Sequence, residues 1–296
     1  MNTPLHPGGR TPSAGVAVKG RAGADWAGRL EWPARALFGT LLAALTLTAT
    51  FAGGYVFAGL IGLLAFAAAR EWHRMVGGPR YGLAIAGSVV AIAVGLFWCV
   101  AARNLLWPAL FLAMGSAVAA ISASASGVSP FWNAAGTFYI GISALSLTAL
   151  RVQALQGVAA VLVVFIAVWT ADTGAFAAGR FIGGPKLVPA LSPNKTWAGF
   201  IAGTVLAGAA VALYIGLRGG ALWQAALLGL GLALAGHGGD LFESWVKRRV
   251  GCKNSGGLIP GHGGVLDRVD SILFAAPVAA VLVFVFGLDP LCGGHS

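Results

Sequence analysis

Charge is the scarcest property of this 296-residue chain: Asp, Glu, Lys and Arg make up 9% of it, while 58% is apolar. A soluble domain carries about 25% charged residues, so a water-exposed globule is excluded and a lipid bilayer is the expected solvent. Cysteine is nearly absent. Cys99, Cys252 and Cys292 stand far apart with no paired spacing, which argues against both a disulfide framework and a zinc site. Acid is scarce even beside base, nine carboxylates against 19 Lys and Arg, for a formal net charge of +10. A basic surplus can mark a nucleic-acid binder, but these bases are scattered between apolar runs and form no soluble module, so no nucleic-acid partner is expected. No segment repeats at a fixed period.

What the chain has in abundance is glycine, 45 residues of it. In a membrane, small residues let helices approach closely, so this richness fits packed spans rather than disorder. Residues 1–35 are polar, hold Pro4, Pro7, Gly8, Gly9 and Pro12 with five bases, and read as a disordered cytoplasmic tail. A signal peptide would place a short apolar core nearer the start, and a transit peptide would lack Asp25 and Glu31. Residues 36–296 then form a single transmembrane domain. Apolar runs of spanning or near-spanning length lie at 36–52, 54–69, 82–102, 105–122, 131–150, 155–171, 196–217, 221–241 and 271–288. The expected fold is therefore all-α and polytopic, with about nine transmembrane helices. Only Gly53 and Gly54 divide the first 34 apolar residues into two.

The bases test this scheme, because short cytoplasmic loops carry an excess of them. With the amino terminus inside, sixteen of the nineteen fall on inner segments, and only Arg103, Arg151 and Arg218 fall outside. The carboxyl terminus is then expected outside. Two long inner loops remain, 172–195 and 242–270.

Acids at the ends of apolar spans are costly unless they have a partner or a function, which singles out Asp172, Asp240, Asp267 and Asp270, all on the inner face. Asp240, Glu243, Ser244, Lys247 and Arg248 follow at i, i+3, i+4, i+7 and i+8, one side of a helix. That stripe is either a snorkelling helix end with a Glu243–Lys247 pair or one wall of a site. Asp267 and Asp270, at i and i+3 where the last span begins, can converge on one ion. Before them runs a flexible stretch from Gly256 to Gly264 whose amides suit phosphate oxygens, with His262 either a phosphate donor or a structural hydrogen-bond partner. Oxygen ligands without clustered Cys or His favour Mg²⁺ over zinc. The other inner loop holds Arg180, Lys186, Ser192, Lys195 and Thr196 among glycines, either topology determinants or an anion site.

At this point the residues resemble a family. Ser244-Trp-Val-Lys247-Arg248, then Lys253-Asn254 and Ser255-Gly-Gly-Leu-Ile-Pro-Gly-His262-Gly-Gly-Val-Leu-Asp267-Arg268-Val-Asp270, is similar to the signature of the phosphatidate cytidylyltransferases, also called CDP-diacylglycerol synthases. The segment from Asp172 to Trp197 resembles that family's second stretch, so the likeness covers most of 172–271, the expected catalytic half. Two positions depart from the pattern: Asn254 stands where the family has Asp, and Ala198 where it often has Glu.

The resemblance implies that CTP and phosphatidate react to give CDP-diacylglycerol and pyrophosphate, at a bacterial-type inner membrane with the active site facing the cytoplasm. A homodimer is compatible with it. Phosphatidate is already an anion, so the barrier is the approach of two polyanions, and cations must lower it. Asp240, Asp267 and Asp270, supported by Asp172, are expected to hold Mg²⁺, with room for a second, monovalent, cation. Lys247, Arg248, Lys253 and Arg268 would clamp triphosphate, while Arg180, Lys186 and Lys195 would hold either substrate's phosphate. The competing readings are a transporter, whose acids would sit near the midplane, and another CTP-dependent lipid phosphotransfer enzyme. A CDP-alcohol phosphotransferase would carry an Asp-x-x-Asp-Gly run that this chain lacks.

Overall fold

The computed structural model describes residues 39–77, 82–252, 254–256 and 263–287. The chain divides into two compact units, 1–42 and 43–296; of the first, only the opening turn of one helix, 39–42, is described. The 1–35 tail, Lys253 and His262 lie outside the described residues.

Nine helices occur among the described residues: α1 (Gly39–Ala52), α2 (Gly54–Gly77), α3 (Gly82–Ala101), α4 (Leu106–Ala125), α5 (Pro130–Gln153), α6 (Gly157–Phe181), α7 (Trp197–Gly216), α8 (Leu222–Arg249) and α9 (Leu266–Phe284). The seven from α2 to α8 are long and apolar enough to cross a membrane. α1 is short, and α9 carries Asp267, Arg268 and Asp270 in its first turns. Gly53, at φ 130°, interrupts the chain between α1 and α2 in a backbone conformation that side chains rarely adopt, so the division at the paired glycines is real.

Two expectations need correction. Between α6 and α7 the chain forms a small antiparallel hairpin, β1 (Lys186–Val188) and β2 (Ser192–Thr196), with Lys186 opposite Thr196 and Val188 opposite Ser192, so the fold is helical with one two-stranded addition. The long inner loops are also shorter than the apolar runs imply. α6 continues through Asp172 to Phe181 and α8 through Asp240 to Arg249, because hydropathy marks where apolar side chains stop, whereas the backbone keeps its i to i−4 bonds beyond that point.

α5 is the most enclosed span and packs against α2, α3, α4, α6 and α9. Small residues set the closest approaches. A Cβ at Gly199 of α7 would lie 2.6 Å from the Ala175 carbonyl of α6, and one at Gly229 of α8 would lie 2.7 Å from the Ala207 carbonyl of α7. Between helices in lipid this close packing stands in for the absent hydrophobic drive. One buried polar cluster is fully paired: His73 of α2 bonds Asn133 and Ser88 at 2.8 Å each, and Ser88 bonds Thr137 at 2.6 Å, which ties α2, α3 and α5 together. His73, without a role in the sequence reading, is thus a structural residue.

Candidate active site

The site forms where α6, α8 and α9 meet the hairpin and the end of α2. Ser271 on α9 donates its hydroxyl to Asp172 Oδ1 at 3.5 Å, and a Cβ on Gly239 would collide with the Asp270 carbonyl, so Asp172, Asp240 and Asp270 lie at one level. Asp172 and Asp270 both feel the charge of Asp240, and Asp270 that of Asp172. That level is nine residues, about 14 Å, short of the ends of α6 and α8. The last turns of α6 and α8 reach beyond this floor of acids, and the hairpin is tied to α8 by Lys195 at Asp240 and farther along by Arg248 at Leu191.

Each carboxylate has a distinct set of partners. Asp240 forms an ion pair with Lys195 of β2, which fastens the hairpin to α8. Asp270 accepts the Ser271 amide at 2.8 Å. Asp267 is committed elsewhere: Oδ1 binds Lys247 Nζ at 2.6 Å, and Oδ2 accepts the amides of Gly264 at 2.9 Å and Ser255 at 3.3 Å. Lys247 also lies 3.2 Å from Glu243, whose side chain is fully buried, so the pair anticipated on the helix stripe exists and is extended to Asp267. The i, i+3 spacing of Asp267 and Asp270 therefore sends the two carboxylates to different partners rather than to one shared point.

Among the described residues, no three His, Cys, Asp or Glu side chains stand close enough to close around one ion. The donor chemistry nonetheless suits a hard divalent cation. Asp172, Asp240 and Asp270 supply oxygen only, repel one another, and have one ion-paired lysine between them. In residue surface Asp172 is exposed and the other two partly so. Clustered carboxylate oxygens without sulfur or imidazole are the donor type that Mg²⁺ takes.

The bases frame this floor. Arg248 is exposed at the end of α8, with Nε donating to the Leu191 carbonyl in the hairpin turn at 3.4 Å. Arg180 and Lys186 are exposed, as is Arg268 in the first turn of α9. Thr196 is buried and caps α7, accepting the Gly199 amide at 3.1 Å, so its role is to start the helix. Ser192 is half-buried in β2 opposite Val188.

One residue that shapes the site escaped the sequence reading. Glu71, only 2% exposed on α2, accepts the Leu266 amide at 2.9 Å and the Ser255 hydroxyl at 3.3 Å. It caps α9 from a helix almost 200 residues earlier and pins the strand of chain that bonds Asp267. Gly256 and Gly264 pack on its carboxylate, where any side chain would intrude. Its signal was its scarcity as an acid, but no spacing connects it to residues 240–270. Beside it lies a cavity of about 640 Å³ whose lining includes Arg70, Arg74, Cys252, Asn254 and Ser255.

The model described as the cytidylyltransferase family matches residues 33–286. The chain belongs to that family. A phosphatidate cytidylyltransferase of Brucella suis is 39% identical over 260 residues, covering 86% of this chain and 92% of the relative, and one of Brucella melitensis matches equally. A Staphylococcus saprophyticus protein of the same name is 38% identical over 148 residues, 49% of this chain and 55% of that protein. The similarity thus extends well beyond residues 172–271, where the family's motifs are legible.

Proposed function

We propose that the chain transfers the cytidylyl group of CTP to phosphatidate: a phosphate oxygen of the lipid attacks the α-phosphorus, the bond to the β-phosphate oxygen breaks, and CDP-diacylglycerol and pyrophosphate leave. The observation that carries this reading is the meeting of the family's motif acids with bases from the hairpin, α8 and α9 at one end of the helices. Long relatives that bear the name phosphatidate cytidylyltransferase support it.

Asp172, Asp240 and Asp270 are the residues to hold Mg²⁺, with Asp267 the next carboxylate along α9. When bound, the ion supplies neutralisation of charge on the CTP phosphates and on the departing pyrophosphate. The chain's own groups do the rest. Lys195 and Asp240 hold each other until an anionic substrate competes for the ammonium, which couples hairpin position to substrate. Lys247, clamped by Glu243 and Asp267, fixes the first turn of α9 and so the aim of Asp270. Arg248, Arg180 and Lys186 are exposed on the walls to meet phosphate. The cavity at Glu71 adds Arg70 and Arg74 and an acceptor unmet among the described residues, Glu71 Oε1, a suitable partner for a nucleotide amino or hydroxyl group. Asn254, lining that cavity, offers a neutral amide where the family has a carboxylate.

In this reading all nine helices cross the membrane, the amino terminus and the acidic end face the cytoplasm, and the membrane is the bacterial inner one. Its support is the base asymmetry of sixteen to three and the placement of every described carboxylate at a single end. A transporter would keep its acids near the midplane, in the middle of helices whose ends coincide with the membrane faces. Here α9 begins at the level of the acids, which places that level near a membrane face.

The test uses the purified full chain in mixed micelles with phosphatidate, Mg²⁺ and each nucleoside triphosphate in turn. Pyrophosphate release confined to cytidine nucleotides and dependent on phosphatidate is expected. Release with no lipid present, or none with CTP, sinks the assignment.

A further inference from the structure

The three bases assigned to the outer loops converge. Arg103 follows α3, Arg151 ends α5 and Arg218 follows α7, yet all three line one cavity of about 640 Å³, together with Tyr55, Leu155 and Gln156. This cavity lies at the opposite end from the aspartates. Along α2 the distance from Tyr55 to Glu71 is about 24 Å, along α6 from Gly157 to Asp172 about 23 Å, and along α8 from Leu222 to Asp240 about 27 Å. No acid lines it. Among the described residues none of the three arginines has an ion pair, and their hydrogen bonds go to neutral oxygens: Arg151 Nε to the Thr50 carbonyl at 2.7 Å, Arg103 to the Val152 carbonyl, and Arg218 to Gln156 Oε1 at 3.5 Å. Arg103 is in addition the one described non-glycine residue with positive φ, 48°, a strained backbone that the surroundings must hold.

Three guanidiniums without a described counter-charge repel one another, and each has more donors than the one bond named. Their convergence from three connections is costly unless an anion joins them. The level of the cavity indicates which anion. Tyr55, Trp107 and Trp223 are exposed at this end, on the first turns of α2, α4 and α8, the arrangement that aromatic side chains take at the headgroup layer of a bilayer. Leu155, in the cavity rim, is 85% exposed and presents an apolar surface beside the cations. We propose that this cavity binds the phosphate of an anionic phospholipid in the leaflet away from the aspartates, with the guanidiniums of Arg103, Arg151 and Arg218 as donors and the apolar rim against an acyl chain. It is a lipid site separate from the reaction, 20 Å or more from the acids by helix length.

The experiment is native mass spectrometry of the full-length protein from micelles containing equal phosphatidylglycerol and phosphatidylcholine. Phosphatidylglycerol is not the phosphatidate substrate, so the result is independent of the proposed reaction. The wild type is expected to retain phosphatidylglycerol in preference by about tenfold or more, as expected for a phosphate held by charge-assisted hydrogen bonds. The combined Arg103→Gln, Arg151→Gln, Arg218→Gln variant is expected to lose that preference. If circular dichroism shows the combined variant unfolded, Arg218→Gln alone, in an exposed turn, must lower the preference. Three results each overturn the proposal: the preference survives the substitutions; excess inorganic phosphate displaces the lipid, which marks a site for a free anion; or Arg74→Gln, Arg180→Gln and Arg249→Gln at the other end abolish it equally, which marks net charge rather than a site.

Discussion

The two ends of the helix bundle are built from opposite materials. At one end lie six described carboxylates, three of them ion-paired to two lysines, Lys195 to Asp240 and Lys247 to both Glu243 and Asp267. At the other, three arginines share a cavity in which no described acid stands, and among the described residues their hydrogen bonds go to neutral oxygens. The difference shows what charge is doing in a chain with so little of it. At the acidic end, Asp172, Asp240 and Asp270 share one ion-paired lysine, the shortfall that the proposed divalent cation would balance. At the basic end the described shortfall has the other sign, the one that the proposed anion would balance.

The comparison is broken most severely by neutralising the acids. Asp240→Asn and Asp270→Asn are each expected to lower cytidylyl transfer by about a hundredfold or more while the protein still melts cooperatively in detergent. Wild-type rates in both variants exclude the cation role. Chelation of divalent metal with EDTA should likewise abolish pyrophosphate release, and added Mg²⁺ should restore it; retention of full rate under chelation contradicts the charge deficit. Lys195→Met releases the hairpin from Asp240, and an increase of about tenfold in KM for one substrate is expected from the loss of a charge-assisted contact. Unchanged kinetics show that the ion pair only holds the hairpin.

Smaller effects sharpen the structural side. Glu71→Ala leaves the Leu266 amide without its partner, at a cost of about 1–3 kcal/mol, so the melting temperature should drop and Glu71→Gln should recover most of it. Equal melting of the two variants removes the capping role. Arg151→Gln, alone, forfeits one bond to the Thr50 carbonyl, about 1 kcal/mol, and should leave the rate of transfer as it was.

Legibility followed distance along the chain. The stripe from Asp240 to Arg248 was readable because a helical period places those residues on one side whatever surrounds them, and α8 contains it whole. The pairing of Glu243 with Lys247 followed from the same period. The i, i+3 spacing of Asp267 and Asp270 did not reveal their partners, since neighbours on one helix can turn to different ones: Asp267 meets Lys247, and Asp270 accepts the Ser271 amide. Glu71 was invisible as a functional residue because its partners lie at Ser255 and Leu266. The ends of α6 and α8 were misplaced because apolar runs report the edge of the bilayer, not the last hydrogen bond of a helix.

Composition and hydropathy by themselves determined that the chain is built of apolar helices, seven of them long enough to cross a membrane, and singled out the few acids worth attention, because in lipid every unpaired charge needs a reason. Its motif residues carried the family. Tertiary structure alone decided which acid meets which base, that α2 caps α9, and that three arginines from separate connections share one cavity. Those are long-range contacts, and no local period encodes them: they depend on how closely glycine and alanine let the helices approach.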